Sequence, residues 1–385
     1  MGIPFKGYSL PILHCMRRFI SQPLLVAGIT YIGIWYPVTL YSTTNSIFLL
    51  GLATTLYNLA NAAGSYLWGI ILDRSERRLE FGVMLPIALT LSSFLLGRGF
   101  YEGLIAYGLI GFISAMNSPL YSLILLENYS FERVPKMNSI LSQFTLVGNI
   151  VGSISAVFES SWLFPFILCF LSVPVSFVSL LGTRGKINVD KITRLKSLRG
   201  LLGALSSFAA FNFGAELFFT TFVPLNYISG NPRYLIYVSY TILYVLDEGV
   251  YYLASKLTSG KESFFMYLSI MGRALVVLSV SIILRTGTRL GQSTVSMFVL
   301  FGSFYPLYGN SFFSFMFKNI RKNRGAIIGV FNAVEDMANI AGSSTVSFLG
   351  NNINLDYLVA FYSFAFSALS LYSFISKKLP ASSAE

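Results

Sequence analysis

Apolar residues fall in long runs that recur almost from end to end of the chain, separated by short polar segments in which the basic residues gather. Six runs lie near 20–41, 47–71, 80–98, 102–125, 138–158 and 162–182, and six more near 201–228, 234–255, 263–284, 292–317, 326–349 and 356–376. Most are close to the roughly 20 residues that an α-helix needs to cross about 30 Å of hydrocarbon. The pattern therefore predicts twelve membrane-spanning helices, numbered here spans 1 to 12. Several contain Gly or Pro, which helices in lipid tolerate better than helices in water.

Composition strengthens this reading. Of 385 residues, 54% are hydrophobic and 11% charged, with a mean hydropathy of +0.66; a soluble domain carries about 25% charged residues. A water-soluble core cannot hide that much apolar side chain, so a membrane is the expected solvent. Cys15 and Cys169 are the two cysteines, one before span 1 and one inside span 6, which argues against a disulfide framework or a cysteine metal site. The first 19 residues, broken by Pro4, Pro11, Arg17 and Arg18, lack the long apolar stretch and cleavage site of a removable leader.

The net charge of +11 does not indicate nucleic acid, because such binders collect their basic residues on one solvated face. Here the basic residues mark topology. With the N-terminus inside, 22 of the 27 Lys and Arg lie in inner segments, six of them in 183–199; Arg98, Arg233, Arg285 and Arg289 lie in outer loops, and Arg273 lies within span 9. That bias predicts both termini on the cytoplasmic side.

The two sets of spans repeat one another. Pro119-Leu120-Tyr121 in span 4 returns as Pro306-Leu307-Tyr308 in span 10, and Pro37 in span 1 as Pro224 in span 7, both at an offset of 187. Asn149-Ile150-Val151-Gly152-Ser153 in span 5 returns in span 11 as Asn339-Ile340-Ala341-Gly342-Ser343, at an offset of 190. These matches predict a duplicated six-helix unit: a bundle over 1–182, a basic linker at 183–199 and a second bundle over 200–385. An even number of helices makes the halves parallel repeats, which enclose a site at their interface near the bilayer midplane.

After span 2 the chain reads Gly69-Ile70-Ile71-Leu72-Asp73-Arg74-Ser75-Glu76-Arg77-Arg78. This resembles the G-x-x-x-D-R-x-G-R-R/K signature of the major facilitator superfamily, with Glu76 where the family usually has Gly. With twelve spans, a duplication and a basic central linker, the resemblance covers essentially the whole chain. It implies a rocker-switch secondary transporter whose cavity is lined by spans 1, 4, 7 and 10. It also implies roles in a gating motif: Gly69 permitting close packing of spans 2 and 11, Asp73 facing the N-terminal end of span 11, and Arg74, Arg77 and Arg78 tying the inner gate. The plainer reading of the arginines is topology alone. In the second half the motif is degenerate, with Ala254 for Gly69 and Thr258 for Asp73. Tyr107 stands where many proton-coupled members carry Arg, and Ser153 where drug antiporters usually carry Pro.

Charge within a span is expensive and by default marks function. The second half contains Glu216 in span 7, Asp247 and Glu248 in span 8, Arg273 in span 9, and Glu335 and Asp336 in span 11. At about 1.5 Å per residue, Asp247 lies about 12 Å, Arg273 about 15 Å and Glu335 about 14 Å from the inner ends of their spans. Arg273 is expected to pair with Asp247, Glu248 or both, as a functional group or as an ion pair locking spans 8 and 9. One Arg cannot neutralise five carboxylates, so the others must be protonated, face water or meet a cationic solute. Polar stripes accompany them: Asn332, Glu335 and Asn339 on span 11, Tyr240, Tyr244, Asp247 and Tyr251 on span 8, and Asn58, Asn61 and Ser65 on span 2. Close packing and hydrogen bonding between helices is the structural alternative, and accounts for Asn149 and Asn339.

The function expected is a secondary active transporter in the cell membrane, moving a small cationic or hydroxyl-rich solute by alternating access with protons as the coupling ion, and acting as a monomer. Glu216, Glu335 and Asp336 are the candidate proton sites. The alternatives are a uniporter or sodium-coupled carrier on the same fold, or a non-transporting receptor or assembly protein, against which stands the lack of any large soluble loop. No enzyme, cofactor or metal is expected: His14 is the one histidine and lies outside the spans, no nucleophile–base spacing occurs, and no G-x-x-x-x-G-K-[ST] loop is present for ATP.

Overall fold

The computed structural model of the chain describes residues 17–129, 134–158, 161–183, 185, 201–258, 260–319, 324–350 and 352–382. Most of the linker 183–199, and the part of the chain that bears on a leader before residue 17, lie outside them. Among the described residues the chain is helical and contains no strand. That is what the composition demands, because only a helix satisfies every backbone group of one isolated segment in lipid.

The twelve expected spans are all present as helices. A 3-10 turn at Arg17–Phe19 leads into span 1 (Gln22–Thr44), followed by span 2 (Ile47–Asp73) and span 3 (Arg78–Leu95). Span 4 is broken, with Phe100–Ser114 and Asn117–Asn128 as separate helices. The break falls one turn before Pro119, which lacks an N–H and whose ring collides with the carbonyl four residues earlier. Span 5 (Val134–Phe158) and span 6 (Leu163–Leu180) complete the first set. The second set is Leu202–Ile228, Tyr234–Leu257, Glu262–Arg285, Ser293–Asn319, Arg324–Leu349 and Ile353–Ser382.

Among the described residues nine helices are long and apolar enough to cross a membrane on length and composition alone. Spans 8, 10 and 11 fall short of that standard. Spans 8 and 11 carry Asp247, Glu248, Glu335 and Asp336, so the acids that lower their hydropathy also mark them as the helices with polar business.

By compactness the chain divides into Met1–Trp35 with Ala63–Asp190, and Tyr36–Ala62 with Lys191–Glu385. The hairpin formed by the end of span 1 and the start of span 2 thus belongs to the second compact unit. Within the first unit, span 3 packs on spans 4 and 6, and Gly148 and Gly152 bring span 5 onto the backbone of span 1. A Cβ at Gly152 would stand 2.5 Å from the Ala27 carbonyl oxygen and 3.0 Å from Thr30 Cβ. Within the second unit, span 9 packs on spans 10 and 12, span 8 on span 10, and span 7 on spans 11 and 12. There a Cβ at Gly342 would stand 3.0 Å from the Phe213 carbonyl oxygen and 2.8 Å from Glu216 Cβ. A similar small-residue contact therefore occurs in each unit, against Thr30 in one and against Glu216 in the other. Small residues at such crossings let backbones approach where no hydrophobic drive exists between helices.

Candidate functional site

The loop after span 2 is held by one buried ion pair. Arg78 is 0% exposed; its Nη2 lies 2.5 Å from Glu127 Oε1, its Nε donates to Glu127 Oε2 at 2.9 Å, and its Nη1 donates to the Leu72 carbonyl at 2.6 Å. Two parallel bonds to one carboxylate are the strong form of this interaction. The loop closes further where Gly185 N–H donates to the Glu76 carbonyl at 3.0 Å. In this conformation Arg78 is engaged inside its own unit. Asp73, Arg74 and Arg77 are exposed, and Arg77 pairs with Glu80 at 3.2 Å on the surface. Gly69 is not closely packed: a Cβ there would meet nothing within 4 Å.

Glu216 is partly buried in span 7, beneath Gly342. Its Oε1 accepts hydrogen bonds from Asn58 Nδ2 at 2.9 Å and Thr220 Oγ1 at 3.2 Å. Neither donor is charged, and no ion pair to Glu216 forms among the described residues. Asn58 belongs to the hairpin Tyr36–Ala62, which meets the second-half helices at several more points. Thr55 Oγ1 donates to Ser343 Oγ at 3.1 Å, Ser347 Oγ to the Phe48 carbonyl at 3.3 Å, and Arg233 Nη2 to Thr39 Oγ1 at 2.5 Å. A Cβ at Gly51 would stand 2.7 Å from Ser347 N, so the approach there is backbone on backbone. Asn61, one turn beyond Asn58, is also partly buried.

A second cluster joins spans 8 to 11. Arg273 is 1% exposed, with its guanidinium carbon 4.6 Å from the Phe211 ring and 4.4 Å from the Phe301 ring, and with Nε donating to the Phe301 carbonyl at 3.0 Å. The expected ion pair with Asp247 or Glu248 is not formed: no nitrogen of Arg273 is within 4.0 Å of either acid, and Glu248 is exposed. Aromatic faces take the guanidinium instead, a role suited to its flat and weakly hydrated cation. Asp247 and Glu335 are partly buried, and Tyr305 approaches Glu335 Oε1 at 3.5 Å. Tyr240 and Tyr244 lie on one face of span 8, 6.3 Å apart between ring centroids. Asp336 is partly buried, and Asn332 exposed. On the structural side, Asn149 accepts from Thr30 Oγ1 at 2.8 Å.

Sequence reasoning missed three charged residues that matter here. Glu127 was not tied to the motif although it ends the second helix of span 4. Arg233, placed only as an outer-loop charge, also donates to Tyr237 at 2.8 Å. Asp356, at the very start of the predicted span 12, is 0% exposed with neither carboxylate oxygen hydrogen-bonded. Among the described residues no group of three or more His, Cys, Asp and Glu stands ready to hold a metal ion.

The family model of the Major Facilitator Superfamily matches residues 19–343. Comparison with curated protein sequences gives no match. Among solved structures, the chain is similar to a D-xylose-proton symporter, at a TM-score of 0.73 and 14% identity, covering 96% of this chain and 98% of that one. It is similar to the nucleoside transporter NupG at a TM-score of 0.67 and 16% identity, covering 96% and 98%. A bacterial homologue of the iron transporter ferroportin, in an inward-facing state, gives 0.66 and 16% identity, covering 95% and 98%. At these identities the likeness is one of fold.

Proposed function

From a chain that belongs to the major facilitator superfamily, we propose a proton-coupled secondary carrier of a small organic solute, cationic or hydroxyl-rich in part. It works as a monomer in the cell membrane, with both termini and the linker 183–199 cytoplasmic. The working halves are 1–182 and 200–385, and no cofactor takes part. The observation that carries proton coupling is the duplicated crossing. The packing that Gly342 makes with Glu216 is made in the first half by Gly152 with the neutral Thr30. The fold therefore needs no acid at that position, and an acid placed within a span is expensive unless it works.

Glu216 suits a proton carrier because its hydrogen-bond partners are neutral amide and hydroxyl donors. Taking up a proton there breaks no ion pair. It does change what Asn58 meets, and Asn58 sits on the hairpin Tyr36–Ala62. We read that hairpin as the outer gate, with Thr39, Thr55, Gly51 and Ser347 as its other contacts. Proton occupancy of Glu216 would then bias the gate, which is the differential interaction any coupled carrier requires. Glu335, beside Tyr305, is the second proton candidate, with Asp336 next to it, and Tyr240, Tyr244, Asp247, Arg273 and Asn332 are the surrounding solute-site candidates. Asp73 serves the opposite gate, while Arg78 with Glu127 keeps its loop in shape.

The test is purified protein in proteoliposomes with an imposed pH gradient, assayed against a radiolabelled solute library. Accumulation that collapses with a protonophore supports the reading. Equilibration without accumulation points to a uniporter, accumulation driven only by sodium to a sodium carrier, and no flux of any solute to a receptor or assembly role.

A further inference from the structure

Arg273 and Asp247 each keep a buried hydrogen-bonding atom unused. Arg273 Nη1 has no acceptor and Asp247 Oδ1 has no donor. The side chains are near enough to feel one another's charge, yet too far apart for an ion pair within 4.0 Å. Leaving a buried charge uncompensated is costly, so two such atoms close together call for an explanation of their own.

The surroundings of Arg273 hold it in one pose. The rings of Phe211, Phe301 and Tyr305 lie 4.6, 4.4 and 5.7 Å from its guanidinium carbon, and the bond from Nε to the Phe301 carbonyl restricts its rotation. What remains is the Nη edge, the planar fork that matches the two oxygens of a carboxylate. Tyr251, which is exposed, lies within electrostatic reach of Asp247, Glu335 and Arg273, and Asp247 and Glu335 keep partial exposure, so the cluster is not sealed. Its charges are of both signs and its gap is too wide for a direct pair. A solute carrying an acceptor and a donor on neighbouring atoms would satisfy both sides at once.

We propose that Arg273 and Asp247 bind the polar head of the transported solute, with a carboxylate on the Arg273 guanidinium and an adjacent ammonium or hydroxyl on Asp247. The solute class is then an α-amino or α-hydroxy acid, not a simple organic cation. This rests on the carrier reading above and narrows it: the donor on the solute is the cationic or hydroxyl feature, and the oxyanion beside it is the feature Arg273 selects.

Purified full-length protein in nanodiscs would be screened by thermal shift against the natural α-amino acids, lactate and malate, each paired with its amide and, for the amino acids, the decarboxylated amine. The expected result is an acid that raises the apparent Tm while its amide and amine do not. Arg273→Lys keeps the charge but loses the fork, and should weaken that acid by at least about tenfold. Asp247→Asn should weaken an amino acid more than a hydroxy acid. An amine that binds as tightly as its acid overturns the proposal, as does Arg273→Lys with wild-type affinity, or a panel in which no acid shifts Tm. Failure of the carrier reading looks different: an acid binds through Arg273 but is never accumulated by proteoliposomes. Accumulation of a solute that is indifferent to Arg273→Lys leaves the carrier standing and removes this site.

Discussion

Asn58 of span 2 donates a 2.9 Å hydrogen bond to Glu216 of span 7, across 158 residues of sequence. The bond joins a side chain of the hairpin Tyr36–Ala62 to the acid on which Gly342 packs, as Gly152 packs on Thr30. An amide donor prefers a carboxylate to the neutral acid, so the strength of this contact depends on whether Glu216 holds a proton.

Glu216→Gln keeps an oxygen for Asn58 but cannot change its charge. It should abolish accumulation driven by a proton gradient and leave solute counterflow near wild type. Glu335→Gln is expected to behave in the same way if the second site shares the proton. Both variants accumulating solute under a proton gradient would remove these acids from the coupling mechanism. Asn58→Ala deletes the bond to Glu216 and a longer one to Ser343, each worth about 1 kcal/mol at most, and should alter exchange rate without ending coupling.

The Arg78–Glu127 pair should matter for stability first. Removing one partner strands a buried charge, at a cost of about 3–5 kcal/mol. Arg78→Gln and Glu127→Gln are each expected to lower the apparent Tm in detergent strongly. The double variant Arg78→Met with Glu127→Leu should recover most of the loss. Single variants with wild-type Tm would show that the loop is held by something else.

The repeated runs made the fold legible, because apolar length decides how many helices can cross. The Gly152 and Gly342 matches read only as a repeat, and the structure adds that each glycine packs against a neighbouring helix. The acids were legible as expensive residues, but their partners were not. Helical periodicity reports which side chains share a face, whereas the match of Asn58 to Glu216 or of Arg78 to Glu127 depends on how separate helices cross. Arg273 shows the limit most clearly. Depth counting put it level with Asp247, and an ion pair followed by charge alone, but two phenylalanine faces claimed the guanidinium. Asp356 escaped because it lies at a span boundary, where a carboxylate is ordinarily solvated.

Topology is testable with an impermeant thiol reagent on variants lacking Cys15 and Cys169. A cysteine at Thr288, an exposed position between spans 9 and 10, should label from outside intact cells. One at Ser197, in the linker, should label only after lysis. The reverse pattern would invert the orientation and the assignment of inner and outer gates.

Asp73→Asn should impair solute exchange while folded protein remains in the membrane at normal level. Asp73 is exposed and forms no ion pair among the described residues, so its loss removes little from this conformation. A carboxylate that meets a helix N-terminus only when the inner gate shuts would stabilise that state alone. Wild-type exchange in the variant would leave Asp73 with a topological part at most.

The hairpin Tyr36–Ala62 offers the most direct test of gating. Thr55 Oγ1 and Ser343 Oγ are 3.1 Å apart, so cysteines at the two positions would bring their sulfurs within easy reach of a bond of about 2.05 Å. The pair Thr55→Cys with Ser343→Cys, in a background without Cys15 and Cys169, should form a disulfide on mild oxidation. If alternating access requires the hairpin to leave spans 7 and 11, the oxidised protein should lose transport by at least about tenfold, and reduction should restore it. Each single cysteine should be insensitive to the oxidant, which separates the crosslink from damage by the substitution. Solute binding measured from the side that remains open should survive oxidation, because the site is trapped and not destroyed. Full transport by a protein shown by mass to be crosslinked would mean that these contacts persist through the cycle. The hairpin would then be a fixed part of the second unit, and the gate would have to be sought elsewhere.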